Sequence, residues 1–222
     1  MNCSGKHAAM LAACRANDWP TEGYLDPAHP VQVAVQAALE RLAGEAVAAV
    51  VVDGCGAPQH ALTLPGLARA FARLATAGPA THERRVADAV RSHPVLVGGT
   101  GRDVTRILAA VPGLIAKDGA EGVYAAALPD GAAVAVKVAD GAHRAAQVAL
   151  VAALRVLGVD AAALDEVATL PVLGGGRPVG EVRAAGALRE RDGLGERDGP
   201  GERDGLAERD GMGERDGAGA PA

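Results

Sequence analysis

With 222 residues, 49% hydrophobic but only 2% aromatic, the chain has enough apolar material for one core, and that core must be built from Ala, Val and Leu. The net charge of −5 belongs to the C-terminal stretch: from Glu190 onward five Glu and five Asp face five Arg, leaving residues 1–189 neutral, with 17 Lys+Arg against 17 Asp+Glu. A neutral body almost without stacking side chains argues against nucleic-acid binding, and no run reaches the roughly 18 apolar residues of a bilayer span.

Residues 7–14 are small and apolar and start a helix, which Asn17-Asp18-Trp19-Pro20 breaks. Tyr24-Leu25-Asp26-Pro27-Ala28-His29-Pro30 is a turn-rich connection, because each Pro disfavours helix in the residue before it. Residues 31–42 place apolar side chains at helical spacing, and Gly44 closes that helix. Residues 47–52, mostly valine and alanine between Gly44 and Gly54, read as a buried strand that ends at Asp53-Gly54-Cys55-Gly56. Residues 57–63 read as irregular. Helices follow over 65–75, with Pro65 near the first turn, and over 83–91.

Gly98-Gly99-Thr100-Gly101 is a flexible loop before a short helix over 103–110. Strands over 113–117, 123–128 and 133–138, separated by Asp118-Gly119 and Pro129-Asp130-Gly131, predict an antiparallel meander. A long helix covers 142–157, and 161–170 reads as another. The fold class is therefore mixed α/β (α+β), antiparallel strands with flanking helices, over residues 1–189. Residues 190–222 repeat Glu-Arg-Asp-Gly five times at period six, with no apolar periodicity, and read as a disordered tail.

Three stretches carry the chemistry. Asn2-Cys3-Ser4-Gly5-Lys6-His7 gathers a thiol, a hydroxyl, an amine and an imidazole. Asp53-Gly54-Cys55 sets a second thiol beside a carboxylate, and Lys117-Asp118-Gly119 offers a second amine. Cys3 and Cys55 both lie in Gly-flanked polar segments, which favours a ligand role, although isolated cysteines also serve as small buried hydrophobes. Cys14, in an apolar helical run, reads as core. The absence of a secretory signal at the start and the odd number of cysteines point to reduced thiols in the cytoplasm.

The chain has three lysines, Lys6, Lys117 and Lys137, against 19 arginines, so charge alone is supplied by arginine. A lysine that must lose its proton has no guanidinium substitute. Lys6 and Lys117 stand in Gly-bounded motifs, whereas Lys137 reads as the outer face of a strand. Asp53 either binds a substrate amine or caps a helix. His7 either supports the site or is structural. No Ser-x-x-Lys, no phosphate-loop pattern and no Gly-x-Ser-x-Gly elbow is present.

Taken in order, Asn2 to His7, Tyr24, Asp26, His29-Pro30, Gln32, Asp53-Gly54-Cys55, Ala116-Lys117, Gly119-Ala120-Glu121-Gly122, Lys137-Val138 and Asp140-Gly141 resemble the asparaginase II family of serine-dependent, rhizobial-type bacterial L-asparaginases. The resemblance runs from about residue 2 to 157 and implies a β-lactamase/glutaminase-like fold. The implied activity is hydrolysis of L-asparagine to L-aspartate and ammonia through an acyl-enzyme on a serine activated by a lysine. It implies a zinc site at Cys3, Cys55 and Lys6, a substrate contact at Asp53, and catalytic roles for Lys117 and Lys6. The family's nucleophile stands in a Ser-x-x-Lys upstream of the cysteine hexad. Here the only serines are Ser4 and Ser92, so the chain is expected to correspond to the C-terminal portion and to be nearly inactive alone. Expected partners are L-asparagine and either a second copy or a missing N-terminal half that covers exposed apolar surface. The alternative reading is a zinc-binding remnant that acts by interaction, without catalysis.

Overall fold

The opening hexad is helical. In the computed structural model of this protein, which describes residues 2–188, helix α1 runs Asn2–Ala16. Cys3 and Lys6 thus lie on a helix and not in the loop expected for them, because the run of alanines that follows propagates helix back through Gly5. The helix stops where Asp18 turns left-handed (φ 55°), and Trp19 N–H reaches back to the Cys14 carbonyl at 2.9 Å, capping the C-terminus. Helix α2 (Pro30–Ala43) begins with His29 accepting the Val31 N–H and ends at left-handed Gly44.

Strands β1 (Ala49–Val52) and β2 (Pro58–Ala61) form an antiparallel hairpin, and the second of these occupies the stretch expected to be irregular. The strand read as buried is exposed along its length, with Val51 58% and Val52 77% accessible, because β2 is its one sheet neighbour among the described residues. Helices α3 (Leu64–Ala75) and α4 (His82–Ser92) start at Thr63 and Thr81, whose side chains accept N–H groups of the first turn. Helix α5 (Pro94–Gly98), not foreseen, precedes the glycine turn, and α6 is Asp103–Ala110.

The meander is present as read: β3 (Ile115–Asp118), β4 (Val123–Ala127) and β5 (Ala133–Lys137) pair antiparallel in the order β3-β4-β5. Helix α7 is His143–Val156. The helix expected at 161–170 is instead a 3-10 turn (Ala162–Leu164) and a short α8 (Asp165–Ala168). A hairpin of β6 (Leu170–Gly174) and β7 (Arg177–Val182), turning at left-handed Gly175 and Gly176, then follows. The repeat tail lies outside the described residues.

Both faces of the meander are covered, and the alternation of β4 shows how. Tyr124 and Ala126 join Val104, Ile107, Leu150 and Leu154 of α6 and α7 in the main core. Ala127, with Ile115, packs against Ala75 of α3 and Ala87 of α4. Alanine on that second face lets α3 lie close to the sheet, a route to a dense core with few aromatics. A separate cluster of Met10, Cys14, Val31 and Ala57 joins α1, α2 and the β1–β2 hairpin. No described helix is long and apolar enough to cross a membrane.

Leu154 is fully buried in the main core. Leu154→Ala is expected to cost about 2–5 kcal/mol, read as a lowered urea midpoint. Val51→Thr on the exposed hairpin is expected to stay within about 0.5 kcal/mol of the parent.

Candidate functional site

Cys3, Lys6 and His7 fall at i, i+3 and i+4 of α1, so one helix face presents all three. Polar ties to the following loop and α2 fix that face. The His7 Nδ1 and Tyr24 hydroxyl are 2.6 Å apart, with the rings edge to face. The buried Gln32 amide donates to the Tyr24 carbonyl at 2.7 Å and to the Met10 sulfur at 3.1 Å. His29 stands between the Pro20 carbonyl (2.9 Å) and the Val31 N–H (3.2 Å), so a proton on Nε2 satisfies both ring nitrogens. Asp26 accepts the Ala28 N–H at 2.8 Å and closes the turn.

The facing residues come from the β1–β2 connection. Gly56 N–H bonds the Asp53 carbonyl at 2.8 Å, making a tight turn that Gly56 completes at φ 85°. The Asp53 carboxylate also takes the Gly54 N–H at 2.8 Å. Cys55 packs, half-buried, against the α1–α2 cluster.

The two segments meet. Lys6 Nζ donates to Asp53 Oδ2 at 2.7 Å, and the Cys55 thiol donates to the same oxygen at 3.3 Å. The ligand atoms of Cys3, Asp53 and Cys55 all lie within 4.8 Å of one another, the one such triad among the described residues. Hydrogen bonds from Lys6, Cys55 and the Gly54 N–H bring the Asp53 carboxyl down from 3.8 to about 2. Burial pulls Lys6 down, but its hydrogen bond to Asp53 and the charges of Asp53 and Cys55 outweigh that, and the amine sits above its ordinary value. Cys3 is also raised, first by its hydrogen bond with Cys55. The His7 Nε2 is buried without a hydrogen-bond partner among the described residues.

Lys117 stands apart from this cluster. It lies on β3, and its hydrogen bonds go to the carbonyl (2.8 Å) and carboxylate of Asp118. Each Asp118 oxygen holds one cation, Oδ1 the Lys117 amine and Oδ2 the Arg102 Nη2 at 3.2 Å. Arg102 Nε faces Asp103 at 3.9 Å, and the other Asp103 oxygen lies 3.2 Å from His143 Nε2. Under this chain lies Tyr124, the cross-strand partner of Asp118. Its hydroxyl is buried beside the Asp103 carboxylate, and burial, then the charges of Asp103 and Asp118, push its pKa far up.

The segment after Lys117 is locked by two glycines. A Cβ on Gly122 would stand 2.8 Å from the Val138 Cβ, and one on Gly141 would stand 2.6 Å from Glu121 Oε2. Lys137, exposed on β5 as expected, donates to the Glu121 carbonyl at 2.5 Å and holds that turn. Two shallow grooves, of about 390 and 430 Å³, lie along the edges of α3 and α4, away from both polar clusters.

The family model for L-asparaginase II matches residues 1–184, so the chain belongs to that family of amidohydrolases. No curated protein matches the chain.

Arg102, Asp103, Tyr124 and His143 were not singled out from the sequence. The available signal was an arginine and an aspartate placed between a glycine turn and a helix start.

Because the folded Asp53 titrates below its ordinary 3.8, the Lys6–Asp53 contact stabilises the fold above that pH and loses its contribution as pH falls toward about 2. Carboxyl-carbon NMR is expected to find the Asp53 midpoint near that lower value, and Lys6→Met is expected to return it toward 3.8.

Proposed function

We propose that this protein carries the thiol–amine side of an L-asparaginase-type centre, which hydrolyses the side-chain amide of L-asparagine to L-aspartate and ammonia. The observation that carries the reading is the convergence of Cys3, Lys6, Asp53 and Cys55, drawn from segments 47 positions apart. In this reading Asp53, ionised down to about pH 2, is the anion for the substrate's α-ammonium group, and Lys6 is the cation that competes for it. Lys117 and Lys6 are the catalytic lysines. Lys117, held by Asp118, is supplied as a fixed amine at the strand end.

The donor set fits zinc: two thiol sulfurs and a carboxylate oxygen within 4.8 Å, half exposed, with Lys6 beside them. Cys3, Cys55 and Lys6 would hold the ion, and it would supply a positive field that keeps both sulfurs deprotonated. For Lys6 to join, its amine must give up both its proton and its contact with Asp53. That frees the Asp53 carboxylate to receive a substrate ammonium.

A nucleophilic serine in Ser-x-x-Lys context is not among the 222 residues, so the reaction requires one supplied by polypeptide outside them. The same fact favours the second reading, a zinc-binding member that acts by interaction. Ammonia release from L-asparagine separates the two, measured for the chain alone and with a Ser-x-x-Lys segment of another family member supplied in trans. Hydrolysis expected only with the added segment, and lowered about 10²–10⁴-fold by Lys117→Ala, supports the enzyme. Bound zinc with no ammonia in either case supports the interaction reading.

Metal analysis of the purified chain is expected to find about one zinc, lost in Cys3→Ala and in Cys55→Ala, and retained in Cys14→Ala.

A further inference from the structure

The cluster around Lys117 has a layered charge order. Asp103 and Asp118 keep only 9% and 7% of their side chains accessible, while Arg102 keeps 53%, His143 40% and Lys117 33%. The acids form a buried layer, and Arg102, Lys117 and the His143 imidazole form the rim. Two nearly buried carboxylates are costly unless paired, and here each pairing also fixes a cation in place. Arg102 is the cation that faces both acids. Its Nη2 is on Asp118 and its Nε faces Asp103, while Nη1 donates to nothing among the described residues.

The backbone behind Arg102 is equally fixed. Gly99 and Gly101 take φ values of 98° and 72°, and Thr105 Oγ1 donates to the Gly99 carbonyl at 2.6 Å. A guanidinium bonded on one edge and open on the other, beside a lysine amine, is a receptor for a carboxylate: planar and permanently charged.

We propose that Arg102 is the substrate-carboxylate contact of this protein, its open Nη1 edge receiving the α-carboxylate of a small amino acid beside Lys117. The inference rests on the amidohydrolase reading for the identity of the ligand and stands on the geometry for its chemistry.

The test titrates the full chain, labelled with ¹⁵N-arginine, with L-asparagine and with β-alaninamide, which is asparagine without its α-carboxylate. Affinities are taken by calorimetry and ammonia is assayed in the same samples. L-asparagine is expected to bind about tenfold tighter than β-alaninamide, to shift the Arg102 side-chain resonance, and to lose that advantage in Arg102→Gln. Arg102→Lys keeps the charge without the fork and is expected to retain part of the advantage. It decides the matter if circular dichroism shows Arg102→Gln to be unfolded. Arg106→Gln, on the exposed side of α6, is expected to change nothing.

Equal binding of the two ligands, no binding of either, or an unchanged preference in the Arg102 variants overturns the proposal. So does acetate matching L-asparagine in affinity, which marks an adventitious anion only. Binding that depends on Arg102 with no ammonia released, even with the Ser-x-x-Lys segment supplied, keeps the carboxylate contact and ends the hydrolase reading. Ammonia release with an unchanged ligand preference in Arg102→Gln does the reverse.

Discussion

The Lys6–Asp53 contact is the joint on which the candidate site depends. It closes the gap between a helix and a hairpin turn that share no strand pairing, and it brings the two thiols to a common point. An ion pair with its lysine 39% and its aspartate 23% accessible contributes little to stability by itself. What it contributes is position. The packing that holds its two ends, Met10, Cys14 and Val31 on one side and Ala57 and Cys55 on the other, supplies the energy.

The residues through which the chain resembles its family gain physical roles from this arrangement. Tyr24, Asp26, His29 and Gln32 hold the loop between α1 and α2 so that one face of α1 meets the hairpin. Gly122 is required because two turns cross closely there, its Cβ position falling on Val138 and the Gly141 backbone, and Gly141 because its own backbone is left-handed (φ 76°). Motif residues of this kind carry function through placement, and the polar atoms they satisfy are buried or half-buried ones that water no longer serves.

The molecule therefore carries two polar clusters of different character. The one at Cys3, Asp53 and Cys55 gathers two thiols around a carboxylate paired with a single amine. The one at Arg102, Asp103, Lys117, Asp118 and His143 alternates acids with nitrogen groups, the acids buried and Arg102, Lys117 and the His143 imidazole facing outward. No hydrogen bond or ion pair among the described residues joins them.

The sequence by itself determined the elements whose signal is local. The helices over α2, α3, α4, α6 and α7 follow from apolar spacing and from Pro, Thr and Gly at their ends, and the meander follows from alternation between Gly-containing turns. It also marked Cys3, Lys6, Asp53, Cys55 and Lys117 as chemically distinct, because thiols and lysines are scarce in this chain. Tertiary structure decided the rest. Helix propagation through Ala8 and Ala9 overrode Gly5 and put the hexad on a helix. The valines of β1 look buried by composition, yet exposure depends on what packs over a strand, which a local pattern does not encode. The β6–β7 hairpin and the Arg102–Asp118 pairing likewise arise from contacts between distant or irregular segments. Spacing along a chain specifies which side chains share a face; which faces meet is set by packing.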